Sequence, residues 1–209
     1  MEKETLKRIF NFLEEKGEHN MPFKLKLVFN KPLTEEELNV KGNLDLEYAK
    51  ITSLPEGLKV SGFLSLFESK ITSLPEGLKI RGYLDLRKTN ITSLPEGLEV
   101  GGNLFLTDTP IKSLGNLVQV DGMLYLLRTP IESLGNLLRV NASLILNYTP
   151  IKSLGNLEYV GWILDLRETP IESLGKLKYV GGGIHLLADS KIPEKQLNKF
   201  DIKYGWKTF

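Results

Sequence analysis

A repeat of twenty residues runs through most of this chain. ITSLPEGLKVSGFLSLFESK, residues 51–70, is followed by ITSLPEGLKIRGYLDLRKTN, residues 71–90. A fixed period of this length is typical of a solenoid, in which each repeat forms one coil that buries its apolar face only against its neighbours. The repeat therefore predicts a stack of coils that offers a binding surface rather than a catalytic pocket. The same frame continues through Ile91, Ile111, Ile131, Ile151 and Ile171.

Each coil contains an alternating segment that predicts a β-strand. In residues 51–70 this segment is Val60-x-Gly62-x-Leu64-x-Leu66, with every second side chain directed into the core. No segment within the repeats shows helical periodicity over ten or more residues. We therefore predict a mainly β solenoid with tight turns, in which strands of successive coils pair in parallel about 4.8 Å apart.

A glycine column predicts a corner in every coil. A recurring glycine indicates a bend in the backbone or a need for positive φ. Ala142 and Trp162 interrupt the column, and we expect Gly161 to take over the role of glycine beside Trp162. The column contains Gly42, Gly62, Gly82, Gly102, Gly122 and Gly182.

Two hydroxyl columns predict side chains that satisfy main-chain groups at the corners. A nucleophilic role is unattractive, because seven equivalent serines do not each perform catalysis and no histidine lies in register with them. The first column contains Ser69, Thr89, Thr109, Thr129, Thr149 and Thr169. The second contains Ser53, Ser73, Ser93, Ser113, Ser133, Ser153 and Ser173.

The coils come in two kinds. Early coils read SLPEGL and later coils read SLGNL or SLGKL, so that the second leucine moves by one position while the repeat length stays constant. This switch predicts a slight change of curvature between the two halves. The early segments are 53–58, 73–78 and 93–98; the later ones are 113–117, 133–137, 153–157 and 173–177.

Charged columns support the predicted stacking. Side chains of opposite sign follow one another from coil to coil, which avoids like-charge repulsion between neighbouring strands. Each such pair contributes little on a solvated surface. One column runs Lys112, Glu132, Lys152 and Glu172, and the other runs Glu68, Lys88, Asp108 and Arg128.

The two ends of the repeat array need caps, because a terminal coil would otherwise expose core and strand edges. We predict one domain, 1–209, with an N-terminal cap over 1–37, repeats over 38–190 and a C-terminal cap over 191–209. Within these caps we expect an amphipathic helix over 3–16, an irregular strand over Phe23–Phe29 and a short helix over 192–200. An alternative to the capping role of the first helix is that it docks to another protein. Ile202, Tyr204, Trp206 and Phe209 are expected to cover the last coil.

Composition excludes several function classes. The formal net charge is +1, from 27 basic and 26 acidic residues, so the chain has no basic stripe to favour a nucleic-acid partner. Cysteine is absent, which excludes disulfides and thiolate chemistry. No apolar run has the length of a signal peptide or a membrane span, and we expect a cytoplasmic protein with no membrane contact. Delivery into a host cell stays open.

The repeat resembles the leucine-rich repeat. The match is carried by Leu84-Asp-Leu86-Arg-Lys-Thr89-Asn-Ile91-Thr-Ser-Leu94, with threonine where most of that family has asparagine. It is similar to short-repeat bacterial and phage members, to bacterial effectors with twenty-residue repeats, and to the β-helical L domains of cell-surface receptors. The resemblance covers 38–190 and implies a protein-binding module, capped by helices, without an attached enzymatic domain.

The outward side chains of the Leu-x-Leu segments form the predicted binding face. They vary between coils and are strongly apolar in the middle of the array, with Asp85, Arg87, Asp165 and Arg167 as a charged rim. A contiguous apolar patch with a polar rim is typical of an interaction site. A homodimer contact and cover by the chain itself are the alternatives. The predicted partner-binding residues are Phe63, Phe67, Tyr83, Phe105, Met123, Tyr125, Leu127 and Ile145.

Two other function classes are weaker. A carbohydrate binder would use the aromatic rings for stacking, with Asp45, Asp85 and Asn103 as hydrogen-bonding groups. An enzyme would use Asp45 and Asp85 as paired carboxylates, which we expect about 10 Å apart, slightly wide for that chemistry. The sequence contains no metal-ligand cluster and no phosphate-binding glycine loop, and His19 and His185 are far apart. We therefore expect no enzymatic activity, no cofactor and no metal.

Overall fold

The structure, a computed structural model, is a β-solenoid of about 8 turns with parallel strands throughout its sheets. It describes residues 11, 21–29 and 31–205, apart from the side chains of 204 and 205. Each regular coil contributes two strands of two residues each, separated by a bend at the glycine column. The alternating segment was thus predicted as one strand, whereas the chain turns a corner inside it.

The second strand of each coil lies in one continuous nine-stranded sheet, which we call the front sheet. Successive strands pair in register, twenty residues apart, as in Leu64 with Leu84. The front sheet contains β2 (Leu44–Asp45), β4 (Leu64–Ser65), β6 (Leu84–Asp85), β8 (Leu104–Phe105), β10 (Leu124–Tyr125), β12 (Leu144–Ile145), β14 (Leu164–Asp165), β16 (Ile184–Leu187) and β17 (Ile202–Gly205).

The first strand of each coil lies in one of two separate four-stranded sheets on the flank. The first flank sheet contains β1 (Asn39–Val40), β3 (Lys59–Val60), β5 (Lys79–Ile80) and β7 (Glu99–Val100). The second flank sheet contains β9 (Gln119–Val120), β11 (Arg139–Val140), β13 (Tyr159–Val160) and β15 (Tyr179–Val180). The flank therefore breaks between β7 and β9, a position we call the seam.

The seam lies where the repeat changes from SLPEGL to SLGNL. In the early coils the turn glycine with positive φ is the third residue after the leucine, as in Gly97 (φ +68°); in the later coils it directly follows the leucine, as in Gly115 (φ +58°). The two turns follow different paths, so the flank strands on either side of the switch do not pair. From the sequence we predicted a slight change of curvature at this switch; what the structure shows there is a break in strand pairing.

Leucine, isoleucine and valine columns form one core along the whole solenoid. Leu64, Leu66 and Ile71 are completely buried, and their equivalents in later coils are buried as well. Burial of each such side chain stabilises the fold by roughly 2 kcal/mol. The recurrence of these columns holds successive coils in one register.

The glycine column allows close approach of successive coils. A Cβ atom on Gly82 would lie 2.8 Å from the carbonyl carbon of Gly62, and no glycine of this column has positive φ. The predicted corner is confirmed, and crowding rather than positive φ explains it. Gly161, beside Trp162, is similarly crowded by the carbonyl oxygen of Asn141.

Positive φ instead occurs at a column of larger residues. Its φ values lie between 53° and 59°, in the left-handed region that side chains rarely adopt. Four of these positions were predicted only as a charged column, and their backbone conformation was not predicted, because the members share neither size nor charge. They are Tyr48, Glu68, Lys88, Asp108, Arg128, Tyr148 and Glu168.

The N-terminal part of the described chain is helical, so the strand predicted over Phe23–Phe29 is wrong. Phe23–Val28 forms helix α1, directly after Pro22. Phe23 and Leu27 are four residues apart, share a helix face and pack against the core. Over six residues, the same apolar spacing fits a helix as well as a strand.

A second short helix, α2 (Glu35–Leu38), holds α1 in place. Thr34 and Glu37 form a capping box, with Glu37 N–H donating to Thr34 Oγ1 at 3.2 Å. Lys26 of α1, which is nearly buried, donates to Glu37 Oε1 at 2.7 Å. This hydrogen bond is the main reason why the pKa of Glu37 is lowered.

The predicted helix over 3–16 lies outside the described residues, apart from Asn11, which is helical.

The C-terminal cap contains the predicted short helix, α3 (Glu194–Leu197), and a strand that was not predicted, β17, which pairs with β16. Gln196 Oε1 accepts a hydrogen bond from Leu174 N–H at 2.9 Å, and Lys199 Nζ donates to the Leu177 carbonyl at 3.0 Å. Ile202 packs against the core as expected. The expected contacts of Tyr204, Trp206 and Phe209 lie outside the described side chains.

Candidate binding face

The outward surface of the front sheet is the candidate binding face. All eight residues predicted for it lie on this surface and are half-buried, because parallel neighbours in register cover each other's flanks. The residues are Phe63, Phe67, Tyr83, Phe105, Met123, Tyr125, Leu127 and Ile145.

Four aromatic rings form a ladder across four successive coils of this face. Phe63 and Tyr83 stack with ring centroids 4.6 Å apart and planes 6° apart, and Phe105 and Tyr125 stack at 4.9 Å and 21°. Tyr83 and Phe105 meet edge to face at 5.9 Å, which joins the two stacks. Each stacked pair joins two residues twenty positions apart, at equivalent places in adjacent coils. Met123 extends the ladder, since its sulfur accepts a hydrogen bond from the Tyr125 hydroxyl at 3.2 Å.

Arg87 borders the aromatic ladder on one side. Its guanidinium carbon lies 5.1 Å from the Phe67 ring centroid and 5.3 Å from that of Phe105. Its Nε donates to Asp85 Oδ1 at 2.9 Å, and this hydrogen bonding raises the pKa of Arg87. Because Asp85 is buried beneath this contact, the rim presents the guanidinium rather than the carboxylate.

The same acid–arginine arrangement recurs two coils beyond Tyr125. Arg167 Nε donates to Asp165 Oδ1 at 2.9 Å, Asp165 is buried, and the hydrogen bond raises the pKa of Arg167. The apolar middle of the face, from Phe105 to Ile145, thus lies between two guanidinium groups.

The carboxylates considered for catalysis make hydrogen bonds within their own coils. Asp45 and Asp85 lie in one column with Ser65 between them, as expected. Asp45 Oδ1 accepts from Glu47 N–H at 3.1 Å, whereas Asp85 is held by Arg87. The Ser65 hydroxyl donates to Glu47 Oε1 at 2.8 Å. Within the described part of the chain, no group of three or more histidine or acidic residues is placed to hold a metal ion.

The threonines of the first hydroxyl column and the later serines of the second contact the main chain as predicted, whereas the buried Oγ of Ser69 has no hydrogen-bond partner. Threonine hydroxyls are buried and donate to the carbonyl three residues earlier, as Thr129 does to Leu126 at 2.7 Å. In later coils the serine Oγ accepts from the glycine two residues on, as Ser113 does from Gly115 at 3.1 Å. These interactions support the structural reading of both columns.

The charged columns also stack as predicted. Lys88 donates to Glu68 at 2.7 Å, and Arg128 makes two hydrogen bonds to Asp108, at 2.7 and 2.8 Å. All four of these residues have positive φ. The ion pairs therefore connect the strained positions of neighbouring coils.

Sequence reasoning missed the apolar surface of the second flank sheet. Arg139 lies 3.9 Å above the Tyr159 ring, which stacks on Tyr179 with centroids 4.9 Å apart. Val118 and Leu138, on the same flank, are among the most exposed large apolar residues of the described chain. In the sequence, this surface was indicated only by Tyr159 and Tyr179, which are twenty residues apart and follow Arg139 in the same column.

The fold and this face define a β-solenoid repeat protein. The sequence matches no family model, and comparisons with curated proteins and with solved structures gave no match. In the part of the chain that the structure describes, no helix is both long and apolar enough to cross a bilayer.

Proposed function

We propose that this chain is a non-enzymatic protein-binding module of the leucine-rich-repeat kind, which uses the front sheet as its binding face. The observation that carries the proposal is the aromatic ladder from Phe63 to Tyr125, with Arg87 against the Phe105 ring and Arg167 two coils beyond Tyr125. Aromatic residues and arginine dominate the energetics of protein interfaces. A ladder held by its own stacking is preorganised, so little side-chain entropy is lost on binding.

The ring orientation favours a protein over a carbohydrate. Rings that stack between neighbouring strands cover each other's faces, and at 4.6 and 4.9 Å the stacked pairs of the ladder leave no room for a sugar between them. Sugar recognition by stacking needs free ring faces. Exposed ring edges beside Met123, Leu127 and Ile145 suit apolar side chains of a protein partner better.

The family and setting belong to the same proposal. The Leu-x-Leu segments and the threonine that bonds the main chain in place of asparagine support a leucine-rich-repeat relationship, with short-repeat bacterial or phage proteins as the nearest kind. We place the protein in the cytoplasm, where its partner is a host or defence protein.

The test compares wild type with a Phe105→Asp/Tyr125→Asp variant in affinity capture from bacterial lysate, followed by binding of the purified partner. A Tyr159→Asp/Tyr179→Asp variant is the matched control, because it makes the same changes to a stacked pair on the flank. We expect binding to be lost in the first variant and kept in the second, with circular dichroism spectra unchanged. Equal binding by the first variant would contradict the proposal, and a concentration-dependent dimer of wild type alone would favour self-association.

A further inference from the structure

The seam contains a cleft of about 700 Å³ between the two flank sheets. This volume is in the range of ligand-binding clefts, about 300–1,000 Å³. The cleft opens the core: Leu98 and Val100 are 8% and 9% exposed, against 1% for Leu58 and Val60 in an ordinary coil. Leu117 is half-buried, whereas its later equivalents are buried. An apolar floor is thus accessible at the seam.

Main-chain groups at the edges of the cleft lack their usual partners. In ordinary coils Gly101 N–H donates to the Ile80 carbonyl and Asn141 N–H to the Val120 carbonyl, both at 2.9 Å. Among the described residues, the equivalent bond from Asp121 to β7 is absent. The backbone N–H of Gln119 likewise has no partner in the preceding coil. Unpaired strand edges of this kind accept an extended peptide.

The cleft is closed at one end. Gly122 N–H donates to the Gly102 carbonyl at 3.1 Å, directly after the unpaired edges. A bound peptide that continued the parallel pairing of the sheet would run toward this closed end, where there is no room for further residues of the peptide. The geometry therefore favours a chain terminus over an internal segment.

The charges at the closed end favour a carboxylate. Arg81 lines the cleft, and the residue that follows it in the same column, Gly101, has no side chain to separate it from the cleft. Arg81 has no ion-pair or hydrogen-bond partner for its guanidinium in the described part of the chain. The carboxylate of Asp121, on the other side, already accepts hydrogen bonds from the amides of Gln119 and Asn141. Arg81 is therefore the charged side chain at this end whose hydrogen-bonding groups have no partner.

We propose that the seam cleft binds the C-terminal segment of a protein partner, with the terminal carboxylate at Arg81 and apolar side chains at the last and third-last positions. The segment lies parallel to β7, with its apolar side chains over Leu98 and Leu117. The N–H of its second-last residue donates to the Leu98 carbonyl, and its carboxylate accepts from Asp121 N–H. This site is separate from the front sheet and does not depend on the function proposed for that face.

The test measures fluorescence anisotropy of labelled peptides whose last and third-last residues are drawn from valine, isoleucine, leucine and phenylalanine. We expect the free-acid pool to bind and C-terminal amidation to weaken binding at least about tenfold. N-methylation of the second-last residue should weaken it similarly, because it removes the donor to Leu98. Lack of binding by the free-acid pool, or equal binding of the amidated pool, would overturn the proposal.

Charge reversal of the protein provides the second arm. Arg81→Glu should weaken free-acid binding about tenfold, since an exposed arginine can be replaced without loss of the fold. Lys41→Glu is the matched control, because Lys41 lies in the same column two coils away and is also exposed. It should leave binding unchanged. An equal effect of both variants would indicate a general charge effect and would count against a site at Arg81.

Discussion

A single position in each of seven coils holds a residue other than glycine in the left-handed backbone region. This conformation costs roughly 1–2 kcal/mol for a residue with a Cβ atom. The strain persists because the coils above and below determine the path of the chain. Sequence alone did not reveal the conformation at these positions, since glycine, the usual signal, does not occur in this column.

Replacement of Glu168 by glycine should relieve this strain. We expect Glu168→Gly to have a higher free energy of unfolding than Glu168→Ala, by about 0.5–1 kcal/mol, since both remove the side chain and only alanine keeps the strain. At Glu172, which lacks positive φ, the order of the two variants should reverse. Urea denaturation measures both pairs. If the alanine variant were the more stable one at both positions, the left-handed column would not be strained.

The threonine hydroxyls should contribute measurably to stability. Thr129→Val keeps the shape of the side chain but removes the hydroxyl hydrogen bond to the Leu126 carbonyl, which is left with the Thr129 N–H as donor. We expect this loss to cost about 0.5–1.5 kcal/mol. Ser69 provides the comparison, because its buried Oγ has no hydrogen-bond partner. Ser69→Ala should change the unfolding free energy little. A similar small effect of Thr129→Val would show that the hydroxyl bond is dispensable.

The corner between the two strands of a coil depends on the space that glycine leaves. In Gly82→Ala, the new methyl group would meet the backbone of Gly62 and Phe63 at 2.8–2.9 Å. We expect a loss of about 1–3 kcal/mol in thermal or urea denaturation. Gly42→Ala, in the first coil of the same column, has no atom within 4 Å and should be tolerated. Equal stability of the two variants would contradict the crowding explanation.

Ion pairs between coils should make stability sensitive to acid. The hydrogen bonds from Arg128 lower the pKa of Asp108 below its unfolded value. A lowered pKa means that the stabilisation is present above the unfolded pKa, about 3.9, and is lost as pH falls through the folded value. The stability difference between wild type and Asp108→Asn should therefore shrink below about pH 4 in urea titrations. A difference independent of pH would exclude the ion pair as its source.

Much of the architecture was predictable because each repeat buries the same apolar positions against its neighbours. The core columns, the stacked charges and the pairs Phe63/Tyr83 and Phe105/Tyr125 all follow from a period of twenty residues. Features that occur once were not predictable in this way. Helix α1 depends on tertiary contacts of Phe23 and Leu27, and strand β17 depends on the open edge of the last coil.

The two kinds of coil divide the molecule on one side only. The front sheet passes through the switch without interruption, so the binding face is continuous, while the flank sheet is broken at the seam. The sequence showed the switch as a one-residue move of leucine from the position of Leu98 to that of Leu117. Its consequence for hydrogen bonding required the positions of both turn glycines, Gly97 and Gly115, in three dimensions.

Hydrogen exchange at the seam, followed by NMR on individual amides, tests this account most directly. We predict slow exchange for Arg139 and Asn141, whose amides donate to the Val118 and Val120 carbonyls, and exchange at least about a hundredfold faster for Gln119 and Asp121. Amides of the front sheet, such as Leu124, should be protected on both sides of the switch. Equal protection of Asp121 and Asn141 would mean that the flank sheet is continuous and that the seam cleft does not exist.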